Sequence, residues 1–463
     1  MAEHTTEDRH TRILDLVHED AWAEVSAALK RCDPADTAEI IGRAAEDVRP
    51  RLFALVDDDR KPDVLAELET VAGADVLEAL TNPEIAELVE EMAPDDAADL
   101  LGDLPEVRSE NVLDLMETEE AQDVRKLLTY KEDTAGGIMT TDVVAMQANQ
   151  TVGEALHEIA YLDTREPFYT VNVVDEDGRL IGQATIWELL RERERERPLK
   201  DIARGDFAAA TVDMDQEEVA GLMAKYDLAV LPVMDPTGRL VGRITSDDVM
   251  DVIEEEASED ILRLAGSDDA ELEAWSTTKS CFVRLPWLLI TLLGGFLTSL
   301  ILSSFHAHLA GVLVLAAFVP SVLAMGGNAG IQSSALTVRR IALGSLEGRS
   351  VLGLLGREIA VGGLMGIICG AVIGLWAHFM IGRSPVPADY VLSPLYLAMV
   401  VALAMFSAMT FAAMFGALVP IVLDRMHIDP AVASGPFITT TNDITALLIY
   451  FGVTVLLIHG ATP

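Results

Sequence analysis

The chain has 463 residues, half of them hydrophobic, and yet a formal net charge of −42. That length exceeds one ordinary domain, and such acidity excludes nucleic acid as a partner because polyanions repel. From Leu285 onward six acidic residues (Glu347, Glu358, Asp389, Asp424, Asp429, Asp443) are matched by six Arg with no Lys, so the whole negative excess lies in residues 1–284.

Within that acidic part Lys is scarce and Asp and Glu abound, as on a salt-adapted surface whose carboxylates are mostly solvated. The N-terminal MAEHTTEDRH has neither the basic start nor the apolar run of a secretory signal, which points to the cytoplasm. Three Cys (Cys32, Cys281, Cys369), odd in number and without metal-type spacing, weigh against disulfides and a zinc site. Residues 1–131 are patterned as short amphipathic helices punctuated by Pro34, Pro50, Pro62, Pro83, Pro94 and Pro105, the pattern of an all-α superhelical domain.

An internal repeat follows at an offset of 60 residues: VVDEDGRLIGQATIWELL begins at Val173 and VMDPTGRLVGRITSDDVM at Val233. Each reads as strand, Asp/Gly turn, strand and the start of a helix. RERERER (Arg191–Arg197) between them reads as a mixed-charge helix or a solvated linker. Next comes SDDVMDVIEEEASEDILRLAG (Ser246–Gly266), a predicted helix that leads toward the apolar part. Its Asp247, Asp248, Asp251, Glu254, Glu255, Glu256, Glu259 and Asp260 repel one another unless cations sit between them.

Five apolar segments, at 285–304, 309–326, 352–381, 395–423 and 437–459, are each near the ~17–25 residues needed to span a bilayer. Lys279, Arg284, Arg339, Arg340, Arg349, Arg357 and Arg425 flank the inner side and Arg383 the outer, which places the acidic part inside and the C-terminus outside. Glycines at 294–295, 362–363, 366, 370 and 374 read as helix-packing positions. Asp443 stands out, because an ionisable group at membrane depth is costly unless it faces water or a partner, and its segment holds no Lys or Arg. Thr439, Thr440, Thr441, Asn442 and Thr445 surround it, and the preceding GPFI is expected to break the helix and free carbonyls toward a pore. A second polar point is PSVLAMGGNAGIQSS, with Asn328 and Gln332. Carboxylate, amide and carbonyl oxygens suit Mg2+, Ca2+ or Mn2+. A single carboxylate per chain fits Mg2+ best, since Mg2+ keeps its waters.

The repeated strand–turn–strand units resemble a tandem pair of CBS modules. The second carries Gly242, Thr245 and Asp248 where such modules hold a nucleotide; the first has Thr185, but Glu188 where Asp is usual. Taken in order, YKEDTAGGIMT (Tyr130–Thr140), the CBS pair, GGNAGIQSS and DPAVASGPFITTTNDITALLIYF (Asp429–Phe451) resemble the MgtE family of magnesium channels and transporters over nearly the whole chain. One departure is Ile331, where some relatives have a polar residue. The resemblance implies a multi-domain membrane protein: an N-terminal helical regulatory domain (1–131), CBS modules (132–199 and 200–251), a connecting plug helix (252–284) and a five-span pore domain (285–463). It implies a homodimer in the cell membrane, with Asp443 holding hydrated Mg2+ in the pore, helped by Thr439 and, from the residues themselves, Asn328. It implies closure by cytoplasmic Mg2+ at Asp95, Asp99, Glu217, Asp227, Asp248, Asp251, Glu256, Glu259, Asp260 and Asp429. ATP or another adenine nucleotide at Thr185, Glu188, Thr245 and Asp248 stays open. So do permeation by Co2+ or Mn2+ and a nucleotide-sensing membrane receptor without transport. No Ser/His/Asp, Cys/His or phosphate-loop arrangement suggests an enzyme.

Overall fold

The computed structural model describes residues 6–162, 168–267, 277–306, 313–342, 350–383, 392–432 and 435–461. Glu347, Arg349 and Asp389 of the charge argument fall outside these ranges, as does much of the segment before the first span. Two compact units are formed, residues 1–253 and 254–463.

The first unit opens with ten short α-helices among the described residues, from α1 (Thr6–His18) to α10 (Thr118–Leu127). Proline sets several starts. It occupies the first or second helical position in α3 (Pro34–Arg43), α5 (Lys61–Ala66), α7 (Asn82–Glu91) and α8 (Pro94–Gly102), where its missing N–H has no intrahelical bond to lose. In α7 the Thr81 N–H and hydroxyl both donate to Glu84, at 2.8 and 2.6 Å. Apolar positions Ile40, Ile41, Leu52, Leu65, Ile85, Leu101, Leu113 and Leu127 are buried in one core.

The repeat becomes two matching three-stranded sheets, β1-β2-β3 (Ala145–Gln147, Thr170–Val174, Leu180–Thr185) and β4-β5-β6 (Ala210–Thr211, Val230–Met234, Leu240–Thr245). In each, a parallel pair is followed by an antiparallel hairpin, with Thr170 opposite Thr185 and Val230 opposite Thr245. The hairpin turns share one chemistry. Asp175 accepts from the Asp177 and Arg179 N–H groups and Asp235 from those of Thr237 and Arg239. Gly178 and Gly238 take the positive φ (79° and 83°) that each turn needs. The two turns then bind each other reciprocally: Leu180 N–H donates to Gly238 O and Leu240 N–H to Gly178 O, both at 3.1 Å. RERERER resolves as the end of α12 (Ile186–Arg191) and an irregular linker in which Arg197 pairs with Glu192 at 3.0 Å. The YKEDTAGGIMT motif stitches the helices to the second module: Ala135, Gly136 and Thr140 N–H groups donate to Met214, Val212 and Arg243 carbonyls. The second module therefore shares the helical core, while the first has a core of its own around Val152, Val171, Val173 and Leu189.

After α11 (Val152–Ile159) and α13 (Gln216–Tyr226), helix α14 (Ser246–Ala265) closes the soluble sequence. The second unit holds α15 (Thr277–His306), α16 (Leu313–Ala316), α17 (Val319–Ala342), α18 (Val351–Arg383), α19 (Pro394–Arg425) and α20 (Gly435–Ala461). Among the described residues five segments are long and apolar enough to cross a membrane: Ser280–Phe305, Val314–Ala342, Val351–Arg383, Pro394–Arg425 and Gly435–Ile458. The second runs well past its expected end near residue 326, because GGNAGIQSS stays helical and its glycines are packed against neighbours. GPFI likewise does not break a span. It is the first turn of α20, where Pro436 is tolerated.

Along α18, Gly362, Gly366 and Gly370 face α19 at four-residue spacing; a Cβ on Gly366 would lie 2.9 Å from Phe406 Cα, and one on Gly370 2.7 Å from Ala402 O. Small residues of this kind let membrane helices approach backbone to backbone. Replacing Gly366 by Leu should therefore cost about 1–3 kcal/mol of packing or more and lower the thermal midpoint and monodispersity of the detergent-purified chain. Gly452→Ala, with open space at that position, should leave both unchanged.

Candidate ion pathway and cation-sensing clusters

The candidate pathway lies where α17 crosses α20. Gly326, Gly327 and Gly330 let the helices meet: the missing Cβ positions lie 3.4 Å from Ala446, 3.6 Å from Thr439 and against the amide of Asn442. That contact brings Asn328, next to Gly327, to the level of Thr439. Asp443 is half-buried. Among the described residues it has no hydrogen bond, ion pair or charged neighbour in its own chain. Asn442 is fully buried and neither atom of its amide has a partner; Thr440, packed against Gly294, has a buried hydroxyl oxygen in the same condition. The sequence named Asn442 and Thr440 only as wet surroundings; their burial comes from glycines on other helices.

Asn328 is exposed, and Ser321, Gln332 and Arg339 are exposed on the same helix. Their spacings of seven, four and seven residues put all four on one face of α17. Inside a membrane such a stripe needs water or another protein surface. Glu358, buried in α18, accepts from Ser333 at 3.0 Å and pairs with Arg340 at 3.2 Å, clamping α17 to α18.

At the foot of α20 a second cluster collects predicted acids. Arg263 on α14 pairs with both Glu259 and Asp429. Asp429 also accepts from the Ala431 N–H at 2.7 Å, which fixes it before α20. Asp260 is held above the usual carboxylate range, first by burial, then by the charges of Asp429 and Glu256. Helix α14 ends here: Gly266 has φ 76°, the space beside it is filled by Pro436 and Trp287, and Leu264 O lies against Gly435. Arg263 was not among the expected residues, although its i,i+4 spacing from Glu259 was readable.

The first unit holds the remaining acids. Asp95 is buried and Asp99 exposed, one turn apart on α8; Glu217 and Asp227 are exposed near the two ends of α13. Asp227 caps α13 in the left-handed region at φ 52°. Asp248 accepts from the Thr245 N–H and hydroxyl at 3.1 and 2.6 Å. Even so, burial pushes its carboxyl up, with Asp247 and Asp251 adding to the rise. Glu67, just after α5, is also raised by burial and by Asp251, Asp33, Asp247 and Asp63. It was missed because nothing local links it to residues about 180 positions away. In the first module Glu188 takes the matching capping role: the Thr185 hydroxyl donates to it at 2.9 Å and Arg204 pairs with it at 2.5 Å.

A family model described as "Divalent cation transporter" (MgtE) matches residues 319–453, one described as "MgtE intracellular N domain" matches 32–133, and the CBS domain model matches 135–195 and 199–255. The chain is 36% identical over 341 residues to the magnesium transporter MgtE of Enterococcus faecalis, covering 73% of this chain and 72% of that one. It is 37% identical over 355 residues to the MgtE of Thermus thermophilus (76% of each) and 31% identical over 450 residues to that of Bacillus subtilis (97% of each). Among solved structures, the cytosolic domain of the Mg2+ channel MgtE in complex with ATP is 33% identical, with a TM-score of 0.48 over 52% of this chain and 99% of that one.

Because folding raises the pKa of Asp248, Glu67 and Asp260, the native chain binds more protons than the unfolded one between the ordinary and the raised values. Stability falls as pH rises through that window. In divalent-free buffer, resistance to limited proteolysis should therefore increase as pH drops from 7 toward the carboxylate range. The gain ends when Glu84, Glu154 and Asp235, held low by bonds to Thr81, Thr151 and Thr237, take up protons. Asp248→Asn should give part of the gain already at pH 7.

Proposed function

We propose that this chain, which belongs to the MgtE family of divalent cation transporters, is a Mg2+ channel that imports Mg2+ and is closed by cytoplasmic Mg2+. The observation that carries the reading is Asp443: a carboxylate within a candidate span, without a counter-charge among the described residues of its own chain, beside Asn442 and one turn after Thr439 on α20. These are hard oxygen donors, suited to Mg2+ or a similar ion. They are too few to strip Mg2+ of its water, so the ion passes largely hydrated, held by the carboxylate through its shell. The exposed polar stripe of α17 supports a homodimer in which a second copy completes a water-lined path along the shared axis and supplies a second Asp443.

The acidic part faces the cytoplasm, following the basic flanks Arg284, Arg339, Arg340, Arg357 and Arg425. Five spans then leave the C-terminus outside. A membrane potential of ~100 mV drives entry of the doubly charged ion by about 4.6 kcal/mol.

Closure follows from repulsion. At low cytoplasmic Mg2+ the carboxylates at Asp95, Asp99, Glu217, Asp227, Asp248 and Asp251, and at Glu256, Glu259, Asp260 and Asp429, repel one another. Mg2+ bound among them stabilises the closed arrangement by mass action. The end of α14 abuts the first turn of α20, so holding α14 in place constrains the helix that carries Asp443. Asp443 lies eight residues, or about 12 Å, further along it. Nucleotide binding at the CBS pair rests on Thr245 and Asp248; Glu188 with Thr185 is engaged by Arg204 and is the weaker half.

The test is Mg2+ influx into liposomes with low internal Mg2+. The wild type should conduct, and Asp443→Ala, still folded and reconstituted, should lose about 10-fold or more of the flux, the weight of ~1.4 kcal/mol at a rate-determining site. A silent wild type would leave a nucleotide-sensing receptor as the better reading.

A further inference from the structure

Away from the pore and the acidic clusters, α1 packs on α3 through a group the transport mechanism does not use. His10 of α1 is 1% exposed. Its Nδ1 lies 3.3 Å from Glu39 Oε2 and its Nε2 3.5 Å from Asp36 Oδ1. Asp36 and Glu39 are three residues apart on α3 and so share one face. A donor atom from each of the three lies within 4.8 Å of the others. Buried Nε2 has no hydrogen-bond partner, a costly state unless another group satisfies it.

We propose that His10, Asp36 and Glu39 bind a borderline transition-metal ion of the Zn2+ or Co2+ class, which pins α1 to α3. One imidazole nitrogen and two carboxylate oxygens make a three-ligand set for such an ion, with water completing the shell. Mg2+, which favours oxygen and water, is disfavoured by the imidazole. The two nearby guanidiniums support the site rather than occupy it. Arg9 approaches Asp36 at Oδ2 and Arg43 pairs with Glu39 at Oε1, so in each carboxylate the oxygen turned to His10 is the other one. Outer partners of this kind orient metal-ligating groups. Cys32 is buried nearby, but its thiol donates to the Ala28 carbonyl at 3.4 Å and it is not part of the three-residue group, leaving a nitrogen–oxygen donor set. The Cys spacing that weighed against zinc does not bear on this group. His10 precedes residue 32, where the match to the N-domain model begins, so the site lies partly outside the family pattern.

Co2+ titration of the full-length chain in detergent, read by its visible absorption, tests the proposal. Wild type should bind Co2+ with displacement by Zn2+ but not by millimolar Mg2+, and should protect α1 from proteolysis when loaded. His10→Gln and Glu39→Gln should each weaken binding at least about tenfold. The half-exposed Glu39 variant guards against a folding defect in the His10 variant. Identical titrations in wild type and both variants, or metal that leaves α1 equally cleavable, would overturn the site and reduce the group to an ion-paired helix contact.

Discussion

An uncompensated carboxylate at membrane depth is the constraint on which the rest of the second unit depends. Asp443 cannot face lipid, so α20 must turn it toward water, and the surrounding helices must let α20 come close enough to build that surface. The glycines of α17 permit this at Thr439 and Asn442, and Gly294 permits it at Thr440. The same close approach leaves the Asn442 amide and the Thr440 hydroxyl buried without partners. These are groups a hydrated ion or ordered water can satisfy. Glu358 shows the contrast: a second carboxylate in these helices, it is fully engaged by Ser333 and Arg340 and acts as a clamp.

The same electrostatics work in the opposite sense at the foot of α20. There Arg263 already lies between Glu259 and Asp429, so part of the repulsion is cancelled by the chain itself. What remains, chiefly the raised Asp260 with Glu256 and Asp429, is what a bound divalent ion can relieve. In a cytoplasm of high salt, long-range repulsion is screened within a few ångströms. In the proposed closure, direct coordination would then carry more than field effects, and the positions of individual carboxylates would matter more than the net charge.

Much of the architecture was legible in the sequence because it is written in local periodicities: proline-started helices, a 60-residue strand–turn–strand repeat and five long apolar runs. Asp443 was legible because it is the one carboxylate in a long, mostly apolar run. Asp248 and Asp251 stood out in the dense acidic run of α14, but Asp95, Asp227 and Asp429 did not, since a carboxylate among 75 acidic residues carries no local mark. Glu67 becomes notable only when folding sets it near Asp247 and Asp251. The helix break expected at GPFI was misjudged from proline propensity, because Pro436 stands in the first turn of α20, where it is tolerated. The second span was drawn too short because its apolar run ends near residue 326, whereas the polar GGNAGIQSS continues the helix. Asn442 shows the same limit, its burial being set by Gly330 on another helix.

The most direct measurement is Mg2+ influx through oriented, reconstituted protein at a fixed inward gradient while free Mg2+ on the side of the acidic domains is stepped upward. The account predicts that flux falls as that Mg2+ rises, and that K+ at equal ionic strength does not reproduce the fall. Flux that is indifferent to Mg2+ on that side, or that falls equally with K+, would contradict closure by Mg2+ bound at the carboxylates.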